Sequence, residues 1–164
     1  MEYCYFQSPV GQLLLVAEQQ KLCRIGFAEG KLCYTPEKNW AYSEQHLQIA
    51  INQLKEYFSG KRREFTVPFI LHGTDFKKTV LGQIAKVPYG YTSSYSDIAK
   101  IIQRPLSCRA VGTANATNPL PIIIPCHRII GKNGDLTGFG GGIAVKRFLL
   151  DLEQQATLNQ VAAP

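Results

Sequence analysis

Residues 94–116 have the sequence SYSDIAKIIQRPLSCRAVGTANA, in which two short helical patterns flank a break. Ser94 and Asp97 match a capping box at the start of the first helix. Isoleucines then recur at helical spacing, at Ile98, Ile101 and Ile102. After the break at 103–105, a second helix is predicted over about residues 106–116. Two short helices joined by a tight turn are typical of a helix-turn-helix, although helix pairs also occur in domains that bind no DNA.

Further elements are predicted on both sides of this stretch. Thr74 is a suitable N-cap for a helix over about residues 75–86, which the sequence VPYG at 87–90 would end. Downstream, the sequence NPLP at 118–121 ends the helical run. The three isoleucines at 122–124 are interpreted as a buried extended stretch.

The beginning of the chain alternates strand patterns with turn residues. Residues 3–7 and 12–18, joined by the turn SPVG at 8–11, predict a hairpin, and residues 21–28 predict a third strand. An amphipathic helix is predicted over about residues 44–58, because its apolar side chains recur at helical spacing. This part of the chain therefore predicts a small antiparallel sheet with one helix.

The chain ends in a glycine-rich loop and a helix. Residues 131–142 form the loop, and an amphipathic helix is predicted over about residues 143–153. The tail from about residue 155 is small and polar, so we expect it to be flexible. The predicted fold class is α+β, with an N-terminal structural domain over residues 1–72 and a mainly helical domain over residues 73–164.

Composition limits the classes of function. The chain has 164 residues, a formal net charge of +6 and a pI of about 9.1, which favour a polyanionic partner such as nucleic acid. Its five cysteines form no C-x-x-C pair, and the residues before them lack a long apolar run, so we expect no signal peptide. We therefore expect reduced thiols and a cytoplasmic protein, and no apolar run is long enough for a membrane span.

The sequence PCHRII at residues 125–130 places a thiol beside an imidazole. An ordinary thiol is a poor nucleophile at neutral pH until a base or a positive field lowers its pKa. Cys126 and His127 could supply such a pair, with a water carrying the proton between them. Most cysteines are simply small buried hydrophobes, so the pair alone leaves both interpretations open.

The longer segment NPLPIIIPCHRII at residues 118–130 closely resembles the signature of the O6-alkylguanine-DNA alkyltransferases. The resemblance continues, in order and at the family's spacing, through GTDF at 73–76, VPYG at 87–90, SY at 94–95, RAVG at 109–112, TGFGG at 137–141 and LLDLE at 149–153. Over the first 72 residues it is loose. The resemblance implies a ribonuclease-H-like α/β N-terminal domain followed by a helical domain with a helix-turn-helix.

The resemblance also implies roles for five residues. Cys126 would be the nucleophile that attacks the alkyl carbon, with the guanine O6 as leaving group. His127 would take the thiol proton through a water, and Glu153 would accept a hydrogen bond from the far side of the imidazole. Tyr95 would give a proton to the departing purine, and Asn118 would brace the turn before the nucleophile.

The implied partner is double-stranded DNA that carries O6-alkylguanine, bound by a monomer. The target base must rotate out of the duplex, and Arg109 would fill the space that it leaves. Small side chains around Arg109 would let its helix approach the minor groove. The residues expected to contact DNA are Tyr95, Ser107, Arg109, Ala110, Gly112, Thr113 and Arg128. No cofactor is implied, because the damaged DNA is the alkyl donor.

The glycine-rich loop would form the wall of the base pocket, together with Pro121. Phe139 stands where relatives often have tyrosine, and Gly140 where some have a bulkier residue. We therefore expect Phe139, Gly140 and Gly141 to leave a roomier pocket that accepts alkyl groups larger than methyl.

Two alternatives remain at this point. A non-catalytic sensor of alkyl lesions would keep the DNA-binding features without the nucleophile, and a Cys-His hydrolase would use the thiol on a substrate other than DNA. The presence of Cys126 argues against the first, and Arg109 has no role in the second. Some relatives bind zinc in the N-terminal region, but Cys4, Cys23 and Cys33 lack matching histidines, so we expect no metal site.

Overall fold

The computed structural model describes residues 1–161. The N-terminal part contains a four-stranded sheet with the spatial order β3-β2-β1-β4. Its strands are β1 (Glu2–Ser8), β2 (Gly11–Glu18), β3 (Lys21–Phe27) and β4 (Ala41–Tyr42). Strand β2 is antiparallel to both β1 and β3, and β4 is parallel to β1. The predicted hairpin and third strand are therefore present.

The central strand β2 is buried on both faces. Leu13 and Leu15 enter the main core, whereas Leu14 and Val16 belong to a smaller cluster on the opposite face of the sheet. The hairpin turn is tight because Gly11 adopts a φ of 98°, which costs glycine little. The sheet thus offers one face to the rest of the protein.

Helix α1 (Gln48–Phe58) is packed into the main core with the sheet. It begins four residues later than predicted, because residues 44–47 form a turn in which the Leu47 N–H bonds the Glu44 carbonyl. Its buried face includes Leu54 and Tyr57, the latter fully inaccessible to solvent. This position carries Tyr57 towards the C-terminal part of the chain.

The helical part begins with α2 (Asp75–Ile84), which is capped by Thr74 as predicted. Two short helices follow, α3 (Tyr95–Ile101) and α4 (Cys108–Ala116), and they pack against each other. The Ser94 hydroxyl accepts a hydrogen bond from the Asp97 N–H at the start of α3. A small parallel pair, β5 (Ser93–Ser94) and β6 (Ile129–Ile130), joins this region to the segment that contains Cys126.

The last helix, α5 (Ile143–Val161), is longer than predicted. The flexible tail expected from about residue 155 is helical as far as Val161, and residues 162–164 lie outside the described residues. The helix continues because it has partners beyond Glu153. Ala156 packs against the core and its carbonyl accepts a hydrogen bond from Arg63, and the Thr157 hydroxyl bonds the Glu153 carbonyl.

The segment before Cys126 is buried, as expected, but it is not extended. Residues 122–124 are buried within a turn, where Ile122 adopts a φ of 76°. The Ile124 N–H closes this turn on the Leu120 carbonyl at 2.8 Å. A β-branched residue rarely adopts a left-handed conformation, so the surrounding hydrogen bonds must hold it there.

The mixed α+β fold class is confirmed. Within residues 1–161, no helix combines the length and the apolar character that a membrane span requires.

Candidate active site

Cys126 lies in a short 3-10 turn, Cys126–Arg128, which packs against α2 and α5. Its side chain is 2% exposed. Burial raises the pKa of the thiol to about 11, against the opposing effects of the Asn118 amide and the Lys146 charge. The resting thiol is therefore protonated, and it needs a proton acceptor before it can act as a nucleophile.

Asn118 is fully buried and ties together both ends of the loop before Cys126. Its Nδ2 donates to the Ile124 carbonyl at 2.8 Å, and its Oδ1 accepts from the Leu120 N–H at 3.0 Å. These two bonds satisfy backbone groups that the left-handed turn leaves without a regular partner. The position of Cys126 depends on this loop.

The His127 imidazole is completely buried and bonds the Glu153 carboxylate, with 2.7 Å between Nε2 and Oε1. Burial lowers the pKa of His127, although Glu153 acts in the opposite direction. The neutral ring with its proton on Nε2 leaves Nδ1 as an acceptor. Within the described residues, Nδ1 is buried and has no hydrogen-bond partner.

Glu153 is 1% exposed, and its carboxylate accepts five hydrogen bonds. Oε1 accepts from His127, Tyr57 and Arg128, and Oε2 accepts from Arg128 and the Gly90 N–H. Burial alone would raise the pKa of Glu153, but the bonds and charges of His127 and Arg128 outweigh it and lower the pKa to about 2. The carboxylate is therefore ionised throughout the neutral range.

Arg128 does not lie on the expected DNA-contacting surface. It is 5% exposed, and its guanidinium pairs with both oxygens of Glu153, with 2.9 Å between Nε and Oε2. Nη1 donates to the Val87 carbonyl, and the group lies 5.6 Å from the Tyr89 ring centre. The prediction for Arg128 is wrong because the buried Glu153 carboxylate requires a cation, which makes this arginine part of the interior.

Two buried polar residues at the site were not identified from the sequence. Tyr57, from α1, donates its hydroxyl proton to Glu153 at 2.7 Å. Lys146, from α5, donates to the Ile129 carbonyl at 2.6 Å and to the Thr137 carbonyl at 2.9 Å, and burial lowers its pKa to about 8. Lys146 shares a helix face with Leu149 and Glu153. Their helical spacing is visible in the sequence and could have identified Lys146.

Tyr95 and Arg109 lie together on a shallow groove of about 390 Å³, between α4 and the glycine-rich loop. The Tyr95 hydroxyl accepts a hydrogen bond from the Thr137 hydroxyl at 3.1 Å. Cys126 and Pro121 are buried and do not line this groove. A larger cavity of about 720 Å³ lies beside Pro125 and Arg128, and neither Tyr95 nor Arg109 lines it.

Helix α4 presents small residues and one arginine to solvent. Arg109, Ala110 and Thr113 are exposed, and Ser107 and Gly112 are half-buried. At Gly112 an added Cβ would lie 3.9 Å from the Tyr95 ring, an ordinary contact distance. The low bulk of this surface would allow the helix to approach a narrow groove closely.

The glycine-rich loop packs directly on the N-terminal part of the protein. Phe139 is buried against Phe27, with ring centres 5.6 Å apart, and the Gly140 carbonyl accepts the Leu32 N–H at 3.0 Å. A Cβ added at Gly140 would overlap the Leu32 side chain, and one at Gly141 would lie 2.9 Å from Phe27. The room expected from Gly140 is therefore absent, because Leu32 fills it.

Gly140→Ala is expected to lower the free energy of unfolding by about 1–3 kcal/mol, because the new methyl group collides with Leu32. Urea unfolding would measure the change. Gly138→Ala is the matched control, since nothing lies within 4 Å of a Cβ there. In a protein that already carries Leu32→Ala, the further change Gly140→Ala should cost less stability, because the side chain that collides with the new methyl group is shorter. Equal stability of the two single variants would contradict the prediction.

Two family models together match most of the chain. The ribonuclease-like domain of 6-O-methylguanine DNA methyltransferase matches residues 1–71, and the DNA binding domain of the same family matches residues 75–155. A methylated-DNA–protein-cysteine methyltransferase from Methanosarcina acetivorans is 42% identical over 153 residues, which cover 93% of this chain and 98% of the relative. The inducible methyltransferase of Bacillus subtilis is 50% identical, with 93% and 85% covered.

Solved structures show the same relationship. A crystal structure of Mycobacterium tuberculosis OGT in complex with DNA is similar to this chain with a TM-score of 0.88 and 42% identity, and 95% of this chain and 94% of that one are covered. Both the sheet part and the helical part are thus shared with a protein of known fold. The chain belongs to the 6-O-methylguanine DNA methyltransferase family.

Proposed function

We propose that this protein repairs DNA directly, by transferring the alkyl group of O6-alkylguanine irreversibly to Cys126. The observation that carries the proposal is the buried hydrogen bond by which Glu153 orients the ring of His127, the residue next to Cys126. A thiol with a pKa of about 11 needs such a base, and a neutral imidazole with a free Nδ1 can act as one. O4-alkylthymine is a second substrate of the same chemistry.

In the proposed reaction, the thiol proton of Cys126 passes to His127 through a water. The sulfur attacks the alkyl carbon, so that one carbon–sulfur bond forms while the bond between that carbon and O6 breaks. Tyr95 protonates the departing guanine, which leaves as a neutral base. Glu153 stabilises the imidazolium that forms and keeps the ring in its productive orientation.

The proposed DNA interface is the exposed surface of α4 with the adjoining groove. Arg109 enters the base stack in place of the rotated nucleotide, and the small residues of α4 follow the minor groove. Readout in that groove is too degenerate to impose a strict sequence, which suits a repair protein. The base then lies against Tyr95 and the glycine-rich loop. The protein acts as a monomer.

The cytoplasm is the proposed location. All five cysteines are free thiols, which fits a reducing compartment. The net charge of +6 supports association with DNA there.

The test is the intact mass of the protein after mixing with duplex DNA that carries O6-methylguanine. One added methyl group per molecule is expected, because a thioether is a poor leaving group and the protein is consumed. Cys126→Ala should gain no mass. Tight binding to the lesion without a mass change would instead indicate a non-catalytic sensor. Repeated turnover would contradict transfer to a cysteine.

Methylation of Cys126 is expected to lower the free energy of unfolding by about 1–3 kcal/mol. The thiol is 2% exposed, so an added methyl group must displace packed neighbours. Thermal unfolding of the reacted and unreacted protein would measure the change. Cys126→Ala taken through the same reaction should keep its melting temperature. Equal or higher stability of the methylated protein would contradict the prediction.

A further inference from the structure

Tyr57 is the residue of the N-terminal domain that bonds the proposed catalytic chain of groups. It lies on α1, and its hydroxyl is 2.7 Å from Glu153 Oε1, although 96 residues separate the two in sequence. The same hydroxyl is 3.4 Å from His127 Nε2. One phenol therefore lies beside both groups on which the proton transfer depends.

The direction of this hydrogen bond is fixed. Glu153 is ionised and can only accept, so the Tyr57 hydroxyl must donate to it. Burial, followed by the charge of Glu153, raises the pKa of Tyr57 well above its ordinary value, which keeps the phenol protonated. A hydrogen bond from a neutral donor to a buried carboxylate is short and strong. Tyr57 is thus a permanent donor to the carboxylate.

Tyr57 also limits how the carboxylate can rotate. His127, Arg128 and Tyr57 all bond Oε1, whereas Arg128 and Gly90 bond Oε2. Arg128 spans both oxygens and sets the plane of the group. Tyr57 approaches from another element, α1, and opposes displacement of Oε1 away from the imidazole.

We propose that Tyr57 is a positioning residue for alkyl transfer, by which the N-terminal domain holds Glu153 in register with His127. The inference rests on the proposed function and assigns that domain a part in the chemistry as well as in the fold. Among the described residues, the Tyr57 hydroxyl bonds Glu153 and His127 and makes no hydrogen bond to the thiol, so we place its action at those two groups.

Tyr57→Phe removes the hydroxyl and keeps the ring, which packs edge-on against Tyr89 with centres 6.0 Å apart. Tyr89→Phe is a matched control. Tyr89 is 7% exposed, and its hydroxyl is buried without a hydrogen-bond partner among the described residues. The two variants therefore lose the same atom from neighbouring rings, and only the first loses a bond to Glu153.

Single-turnover methyl transfer from duplex DNA carrying O6-methylguanine is the first readout. Tyr57→Phe is expected to slow transfer about tenfold at saturating DNA, as for loss of a hydrogen bond to a charged group, with an unchanged half-saturating DNA concentration. Tyr89→Phe should react at the wild-type rate. Wild-type speed in Tyr57→Phe, or equal slowing of both variants, would overturn the proposal.

The titration of His127, followed by NMR without DNA, is the second readout. The charged and titratable groups around the ring are Glu153, Arg128, Lys146 and Tyr57, together with the thiol of the adjacent Cys126. Without the Tyr57 donor, the negative charge of Glu153 is less neutralised and stabilises the imidazolium form of His127 more strongly. His127 should therefore titrate at higher pH in Tyr57→Phe, and not in Tyr89→Phe. An unchanged titration would overturn the proposal. Failure of the wild type to accept a methyl group would refute the proposed function instead, and this titration would still decide the role of Tyr57.

Discussion

Replacing Glu153 with glutamine is expected to slow alkyl transfer at least about 100-fold and to lower the free energy of unfolding by about 3–5 kcal/mol. The amide keeps the size of the side chain but removes its charge, which leaves the buried Arg128 guanidinium without a counter-ion. It also presents an N–H₂ group to donors that need an acceptor. His127 then loses the bond that fixes its tautomer. Single-turnover kinetics and urea unfolding would measure the two effects.

Asp151→Asn is the control for this variant. Asp151 lies on the same helix, α5, but is exposed to solvent. Its replacement removes the same charge from the same element. The rate should stay at the wild-type value, and the free energy of unfolding should change by no more than about 0.5 kcal/mol. A Glu153→Gln protein as stable as Asp151→Asn would show that Arg128 does not depend on the carboxylate.

Acidification is expected to destabilise the protein in two successive steps. The pKa of His127 is lowered by burial from 6.5, so an unfolded chain takes up a proton below that pH more readily than the folded one does. Glu153 has its pKa lowered from 4.5 to about 2, and its contribution is complete above about pH 4.5. That contribution, about 3 kcal/mol, is lost as the pH falls from 4.5 towards 2.

Urea unfolding between pH 7 and pH 2.5 would follow both steps. The stability of the wild type should fall from about pH 6.5 downward. The difference between the wild type and Glu153→Gln should be largest near neutral pH and should shrink below pH 4.5, because protonated Glu153 is also uncharged. A constant difference over this range would mean that Glu153 titrates alike in the folded and unfolded chains.

The elements of the fold were predicted where local signals are strong. Thr74 and Ser94 cap α2 and α3 as expected, and Gly11 closes the predicted hairpin, because caps and tight turns depend on nearby residues. The end of α5 was missed, since its last turns are held by contacts with Arg63 that lie far away in sequence. The left-handed Ile122 was also missed, because isoleucine gives no local sign of that conformation.

The candidate site shows the same division. Cys126, His127 and Glu153 were identified through a motif, and the structure brings the imidazole and the carboxylate together. Arg128 was predicted to contact DNA, and only its pairing with the buried Glu153 carboxylate explains why it lies in the interior. Tyr57 lies on the buried face of an ordinary amphipathic helix. The sequence pattern does not distinguish a tyrosine that bonds a distant carboxylate from one that only packs in the core.

The five bonds to Glu153 also constrain how the molecule folds. Their donors come from α1, from the turn at Gly90 and from the 3-10 turn, so the carboxylate is satisfied only after residues 25 to 96 positions away in sequence have reached it. Such distant pairings form late, since long loops must close first. A partly folded chain therefore contains the thiol but no oriented base. If Cys126 is the nucleophile that we propose, its sulfur should become reactive only after these distant segments have met.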